Sequence, residues 1–115
     1  MKRSAIEFTD YKQFPMEPVD GAVSGLSQRI ISRDEKGRPM VRIFEFAPGT
    51  DTTPNGVQTH DYWEEVFIVE GSMIDLSLNQ EFSKGFTASR PPGMRHGPWK
   101  SPNGCVTFEV TYHLD

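Results

Sequence analysis

The chain has 115 residues, 36% of them hydrophobic and 24% charged, with a formal net charge of −4. That composition suits one folded, polar domain of ordinary size; it excludes a disordered chain and, with no basic cluster, argues against a nucleic-acid partner. Cys105 is the single cysteine, which excludes an internal disulfide and a multi-cysteine zinc site, and no apolar run approaches membrane-spanning length.

The N-terminal stretch "MKRSAIEFTDYKQF" carries positive charges with no apolar core behind them. It is not a secretory signal, so a cytoplasmic protein is expected. Residues 1–25 are mixed and interrupted by Pro15 and Pro18, yet contain Ile6, Phe8, Tyr11, Phe14, Met16 and Val19. They read as a single strand and an extended arm that packs over the rest of the chain or onto a second subunit. A homodimer joined partly by this arm is the expectation, with a barrel over residues 26–115.

Nine prolines and ten glycines are spread along the chain and leave little room for long helices. The runs between them are short and strand-like. "MVRIFEF" (Met40–Phe46) and "EVFIV" (Glu65–Val69) are rich in β-branched and aromatic residues. "MIDLSL" (Met73–Leu78) alternates, with Ile74, Leu76 and Leu78 on one face. "CVTFEVTY" (Cys105–Tyr112) alternates too, with Val106, Phe108, Val110 and Tyr112 together and Thr107, Glu109 and Thr111 opposite. "RDEKGRP" and "SPNG" are turn sequences. Many short strands at this spacing predict an all-β sandwich or barrel.

Two of the three histidines sit in unusual settings. In "VQTHDYWEEVFIVEG" (Val57–Gly71), Gln58 and His60 share a face if the segment is extended. "DYWE" is long enough for a hairpin connection, and Glu65, Phe67 and Val69 share a face of the strand that follows. If both faces look inward, an imidazole and a carboxylate converge, with the Gln58 amide oxygen beside them. His96, approached through "PPGMRH", brings a second imidazole. Two histidines and one carboxylate around open positions form a divalent-metal constellation common to zinc hydrolases and non-haem iron enzymes.

These two stretches resemble the two motifs of the cupin superfamily. "GFTASRPPGMRH" matches the second motif, G-x5-P-x-G-x2-H, at Gly85, Pro91, Gly93 and His96, although Lys100 stands where an asparagine often follows. "QTHDYWEEVFIVEG" resembles the first motif, with Gln58 in place of the first histidine, His60 as the second, Glu65 as the acid and Gly71 as the closing glycine. The spacing to Gly71 favours Glu64 as the acid; the alternation Glu65–Phe67–Val69 and the interval from His60 favour Glu65. The resemblance covers residues 40–112 and implies a single-domain jelly-roll β-barrel (a double-stranded β-helix). It also implies one divalent metal per subunit, zinc, manganese, iron or nickel, held by His60, Glu65 and His96. Gln58 is then a weak fourth ligand or holds a bound water. Within the superfamily the chain is similar to small bacterial cupins, including polyketide-synthesis and cyclase types and the cupin domain of anti-sigma factors.

Further residues are candidates for the site. Tyr62 and Glu64 are acid–base candidates, and Trp63, Phe67, Met94, Arg95, Trp99 and Tyr112 are candidate pocket residues. Aromatic residues in a barrel are nevertheless core more often than contact surface. Cys105 reads as a small buried hydrophobe. Three function classes remain: a metal-dependent enzyme (dioxygenase, isomerase, cyclase or lyase) on a small organic molecule, a non-catalytic ligand-binding or sensing module, and a vestigial scaffold.

Overall fold

A computed structural model describes residues 5–19, 21 and 23–114. Its regular structure is strand apart from two three-residue 3-10 turns, at Tyr11–Gln13 and Thr53–Asn55. The strands are β1 (Glu17–Pro18), β2 (Leu26–Arg33), β3 (Pro39–Phe46), β4 (Thr50–Asp51), β5 (Trp63–Asp75), β6 (Gln80–Ser83), β7 (Thr87–Arg90), β8 (Trp99–Ser101) and β9 (Cys105–Tyr112). Hydrogen bonding runs in the order β1-β2-β3-β9-β5-β8-β4, with β6 and β7 also paired to β5, and every pairing is antiparallel. The expected all-β jelly-roll is the fold observed.

The sequence suggested two strands, Glu65–Val69 and Met73–Leu78, where the structure has one. β5 runs unbroken through Gly71 and so belongs to both layers: its first half pairs with β9 and β7, its second with β6 and β8. The pairing with β9 shifts register between Ile68 and Glu70, and Gly71 follows with φ +76°. A Cβ at Gly71 would collide with the Gly104 carbonyl, so only glycine allows the two chains to approach here. β5 stops at Asp75, whose carboxylate accepts from the backbone N–H groups of Ser77 and Leu78 and folds the chain into a turn.

The interior changes character along the strands. Phe46 opposes Cys105 at one end of the β3–β9 pair; Phe44 opposes Thr107 next, and Arg42 opposes Glu109 after that. On β5, Ile68 opposes Thr107, Val66 opposes Glu109 and Glu64 opposes Thr111. One end is therefore a dry core of Phe44, Phe46, Ile68, Met73 and Cys105. The other end is lined by polar and charged groups.

This gradient puts the polar face of β9 inward. Thr107 and Thr111 are almost fully buried, while Phe108 on the other face is 40% exposed. An apolar-in, polar-out pattern presumes an apolar interior, and this one holds a cavity lined in part by Arg42, Glu64, Arg90 and Glu109.

Residues 1–4, 20 and 22 of the arm lie outside the described residues. The remainder lies along its own barrel. Glu17 and Pro18 pair with Gln28 and Ser27 of β2, and Val19 packs against the dry core. The Arg29 guanidinium donates to the Lys12 carbonyl at 3.1 Å and the Phe14 carbonyl at 2.7 Å, tying the arm to β2. Ile6, Phe8 and Met16 stay exposed.

Candidate metal centre

The two histidine-bearing stretches are joined by their backbones. Gln58 and His96 exchange both N–H···O bonds, at 2.8 and 3.0 Å, as a single antiparallel bridge. Gly93, in the left-handed region at φ +85°, turns the "PPGMRH" loop so that its N–H donates to the His60 carbonyl at 2.8 Å. The rigid approach to His96 is thus a backbone clamp that holds His96 beside His60.

The ring centroids of His60 and His96 lie 4.9 Å apart. His60 Nε2 is 3.9 Å from Glu64 Oε2, and one donor atom from each of His60, Glu64 and His96 lies within 4.8 Å of the others. Two imidazole nitrogens and a carboxylate oxygen at this separation suit one divalent ion of the zinc, iron, manganese or nickel kind. The other carboxylate oxygen, Glu64 Oε1, accepts from Arg90 Nη1 at 2.8 Å. Arg90 is the register partner of Glu64 across β5 and β7, and its guanidinium also stacks over Trp99 at 5.3 Å. It therefore orients the carboxylate and leaves Oε2 available to a metal ion.

Glu65, the acid favoured by strand alternation, faces the other way. Its carboxylate accepts from the Ser89 hydroxyl at 2.9 Å and the Tyr112 hydroxyl at 3.0 Å. Phe67, on the same outer face, is 45% exposed and does not line the cavity that holds His60 and His96. Trp63 and Tyr112 stack on each other at 6.2 Å as cross-strand neighbours and are likewise outside the cavities. Parity failed because both faces of β5 are apolar beyond the two glutamates. What decides it is the inward Arg90 opposite Glu64 and the polar inner face of β9.

Gln58, His60, Tyr62, Glu64, His96 and Trp99 do share one cavity, of about 450 Å³. The Gln58 amide nitrogen donates to the Asn55 carbonyl at 2.6 Å, and no described residue donates to its amide oxygen. Tyr62 lies flat against His60, with centroids 4.7 Å apart and planes 5° from parallel. Met94 and Arg95 line a second, more apolar cavity of about 280 Å³, which shares His96, Trp99 and Arg90 with the first.

Three charged cavity residues were not singled out from the sequence: Arg42, Arg90 and Glu109. Arg42 did carry a signal, because it shares strand parity with Phe44 and Phe46, a charge in an inward register. Glu109 carried none, since Thr107 and Thr111 beside it look like a solvent face.

Burial is the main influence on the titration of this site. It holds His60 and His96 below the ordinary histidine range, so both imidazoles are neutral and free to coordinate at pH 7. It raises the Tyr62 phenol, which stays protonated. Burial, reinforced by the charge of Glu64, pushes Glu109 up to about 8, and its carboxyl bonds the Thr107 hydroxyl at 2.9 Å.

No family model matches the chain, and no curated protein matches it by sequence. Solved structures do match. An RmlC-like cupin from Shewanella frigidimarina superimposes with a TM-score of 0.68 at 19% identity, over 96% of this chain and 93% of that one. The polyketide cyclase RemF from Streptomyces resistomycificus gives 0.70 at 18% identity, over 93% and 79%. A predicted oxalate decarboxylase from Thermotoga maritima gives 0.72 at 14% identity, over 94% and 100%. At these identities the likeness concerns the fold.

Two predictions follow from the geometry. Glu64→Gln should weaken zinc binding by more than about 100-fold, beyond the roughly 10- to 100-fold typical of losing an outer-shell partner, whereas Glu65→Gln should leave it unchanged. Competition titration with a chromophoric chelator checks both, and the reverse order would return the metal to the outer face. The second concerns pH. Between about 4.5 and about 8 the folded protein keeps a proton on Glu109 that the unfolded chain has released, so this group makes stability fall as pH rises through that window. Glu109→Gln, which cannot ionise, should gain on the wild type between pH 5 and pH 8 by on the order of 1–3 kcal/mol in urea denaturation of metal-free protein. A wild type that gains on the variant instead would place Glu109 ionised in the fold.

Proposed function

We propose that this chain, which has the cupin fold, is a metal-dependent enzyme acting on a small organic molecule, with His60, Glu64 and His96 as its metal ligands. The observation that carries this reading is the convergence of those three donors on the wall of a cavity large enough for a substrate. A bound divalent metal with open positions would supply Lewis-acid polarisation of a carbonyl or enolate, or redox chemistry if it is iron or manganese. Around it, Arg90 holds Glu64 in place and Gln58 offers an amide oxygen to the metal or to a water. Tyr62, neutral and stacked on His60, is placed to move a proton. The likeness to a polyketide cyclase supports a cyclisation or isomerisation of an enolisable substrate, with dioxygenase and lyase chemistry as the other members of the class.

The test begins with elemental analysis of the protein purified without an affinity tag. About one divalent metal per chain is expected, and His96→Ala should abolish it. No metal as purified and none taken up from zinc, manganese, iron(II) or nickel would end this reading. Cobalt(II)-loaded protein should then change its visible spectrum on adding azide, because a catalytic site keeps an open position and a closed structural one does not. An azide-insensitive spectrum would favour a scaffold or sensing role over catalysis.

We also propose that the protein is a cytoplasmic homodimer, with the arm as part of the contact. The exposed Ile6, Phe8 and Met16 support this, since burying them needs a second surface. Light scattering should find a dimer for the full chain and a weaker one for a chain starting at Gly25; a monomer at micromolar concentration would refute it.

A further inference from the structure

Arg42 projects from the inner face of β3 into the cavity that holds the candidate metal ligands. Its Nη1 reaches the Gln28 amide oxygen at 3.3 Å and its Nη2 the Tyr62 hydroxyl at 3.4 Å, both long and both neutral. Its Nε is buried with no partner. Glu109 is its register partner across β3 and β9, yet Glu109 bonds the Thr107 hydroxyl. Among the described residues Arg42 makes no ion pair with a carboxylate, whereas Arg29, Arg38 and Arg90 each do. The guanidinium is half-buried and lies over the Phe44 ring at 4.9 Å, a contact that only partly compensates its charge, so a carboxylate within its reach would be favoured.

The charge of the cavity points the same way. Arg42 and Arg90 face Glu64 and Glu109, so the walls carry no excess of negative charge even with both carboxyls ionised. A divalent ion on His60, Glu64 and His96 then leaves the cavity positive. Arg42 meets Tyr62, Tyr62 stacks on His60, and so the guanidinium stands one side chain away from the metal ligands.

We propose that the cavity binds a small organic carboxylate, with Arg42 as the group that receives its negative end. This rests on reading the cavity as the ligand site, and it names the substrate class of that site. A carboxylate suits the planar fork of a guanidinium, which can give it two parallel N–H bonds in place of the long ones to Gln28 and Tyr62. With one end held by Arg42, the rest of the molecule extends past Tyr62 towards the metal ligands. Arg42 is thereby a specificity-determining residue: an uncharged analogue would leave the same guanidinium unpaired.

The experiment compares benzoate and propionate with benzamide and propionamide, which match them in shape and lack the charge. Binding is followed by calorimetry and by the shift in melting temperature, on protein dialysed free of metal and on zinc-loaded protein. The acids should bind and raise the melting temperature in both forms, and the amides should not. Arg42→Met should weaken acid binding by about tenfold or more, the loss expected for a charge-assisted bond, while zinc affinity does not fall. Arg42→Lys keeps the charge without the fork and should fall between the two, which also serves if Arg42→Met does not fold. Amides that bind as well as acids, or an Arg42→Met protein that binds benzoate like the wild type, would overturn the proposal. Zinc binding is read separately in each protein. Zinc bound normally without acid binding defeats this inference alone; acid binding through Arg42 in a chain that takes up no metal defeats the metal-dependent reading alone.

Discussion

The ion pair between Arg90 and Glu64 sets the parity of β5, and most of the site follows from it. The two residues are register partners on β7 and β5, and their bond of 2.8 Å lies on the inner face. Breaking such a pair by removing one partner typically costs about 3–5 kcal/mol, because a buried charge is left alone. The alternative arrangement, with Glu65 inward, would shift β5 by one residue and carry Val66 and Ile68 out of the interior. It would also leave Arg90 without its carboxylate. With Glu64 inward, the same carboxylate gives one oxygen to Arg90 and keeps the other beside His60.

A second constraint is that one barrel interior serves two purposes. The layers around Phe46, Ile68, Met73 and Cys105 supply apolar burial. Four residues further along each strand, the same inward faces hold Arg42, Glu64 and Glu109. The dry layers hold the strands in register, and that register fixes where the charges stand. The polar layers add little burial of apolar surface, and Glu109 is carried in its protonated form at neutral pH. Such a polar interior is tolerated by a fold whose stability comes from its apolar layers.

The candidate metal ligands and the cavity arginines are distributed over loops and strands. His60 and His96 come from loops clamped together by backbone bonds, so their spacing does not depend on side-chain packing alone. Glu64, Arg90 and Arg42 come from β5, β7 and β3, whose positions are set by the sheet. Tyr62 links the two groups, stacked on His60 and bonded by Arg42.

Several features were legible in the sequence because they are local. Proline and glycine spacing ruled out long helices, alternation marked Cys105–Tyr112 as a strand with the bounds observed, and "PPGMRH" announced a constrained histidine. Gln58 and His60 do line one cavity, but from a loop with a single bridge at Gln58 and not from the extended strand the two-residue period assumed. The direction of each strand face was not legible. On β5 both faces are apolar, so hydrophobicity could not choose between Glu64 and Glu65. On β9 the apolar face is the outer one, because its opposite lines a polar cavity. Arg42, Arg90 and Glu109 come from three strands far apart in the chain, and only cross-strand register brings them to one place. Period is a property of the chain; which way it points was decided by the partners each strand found.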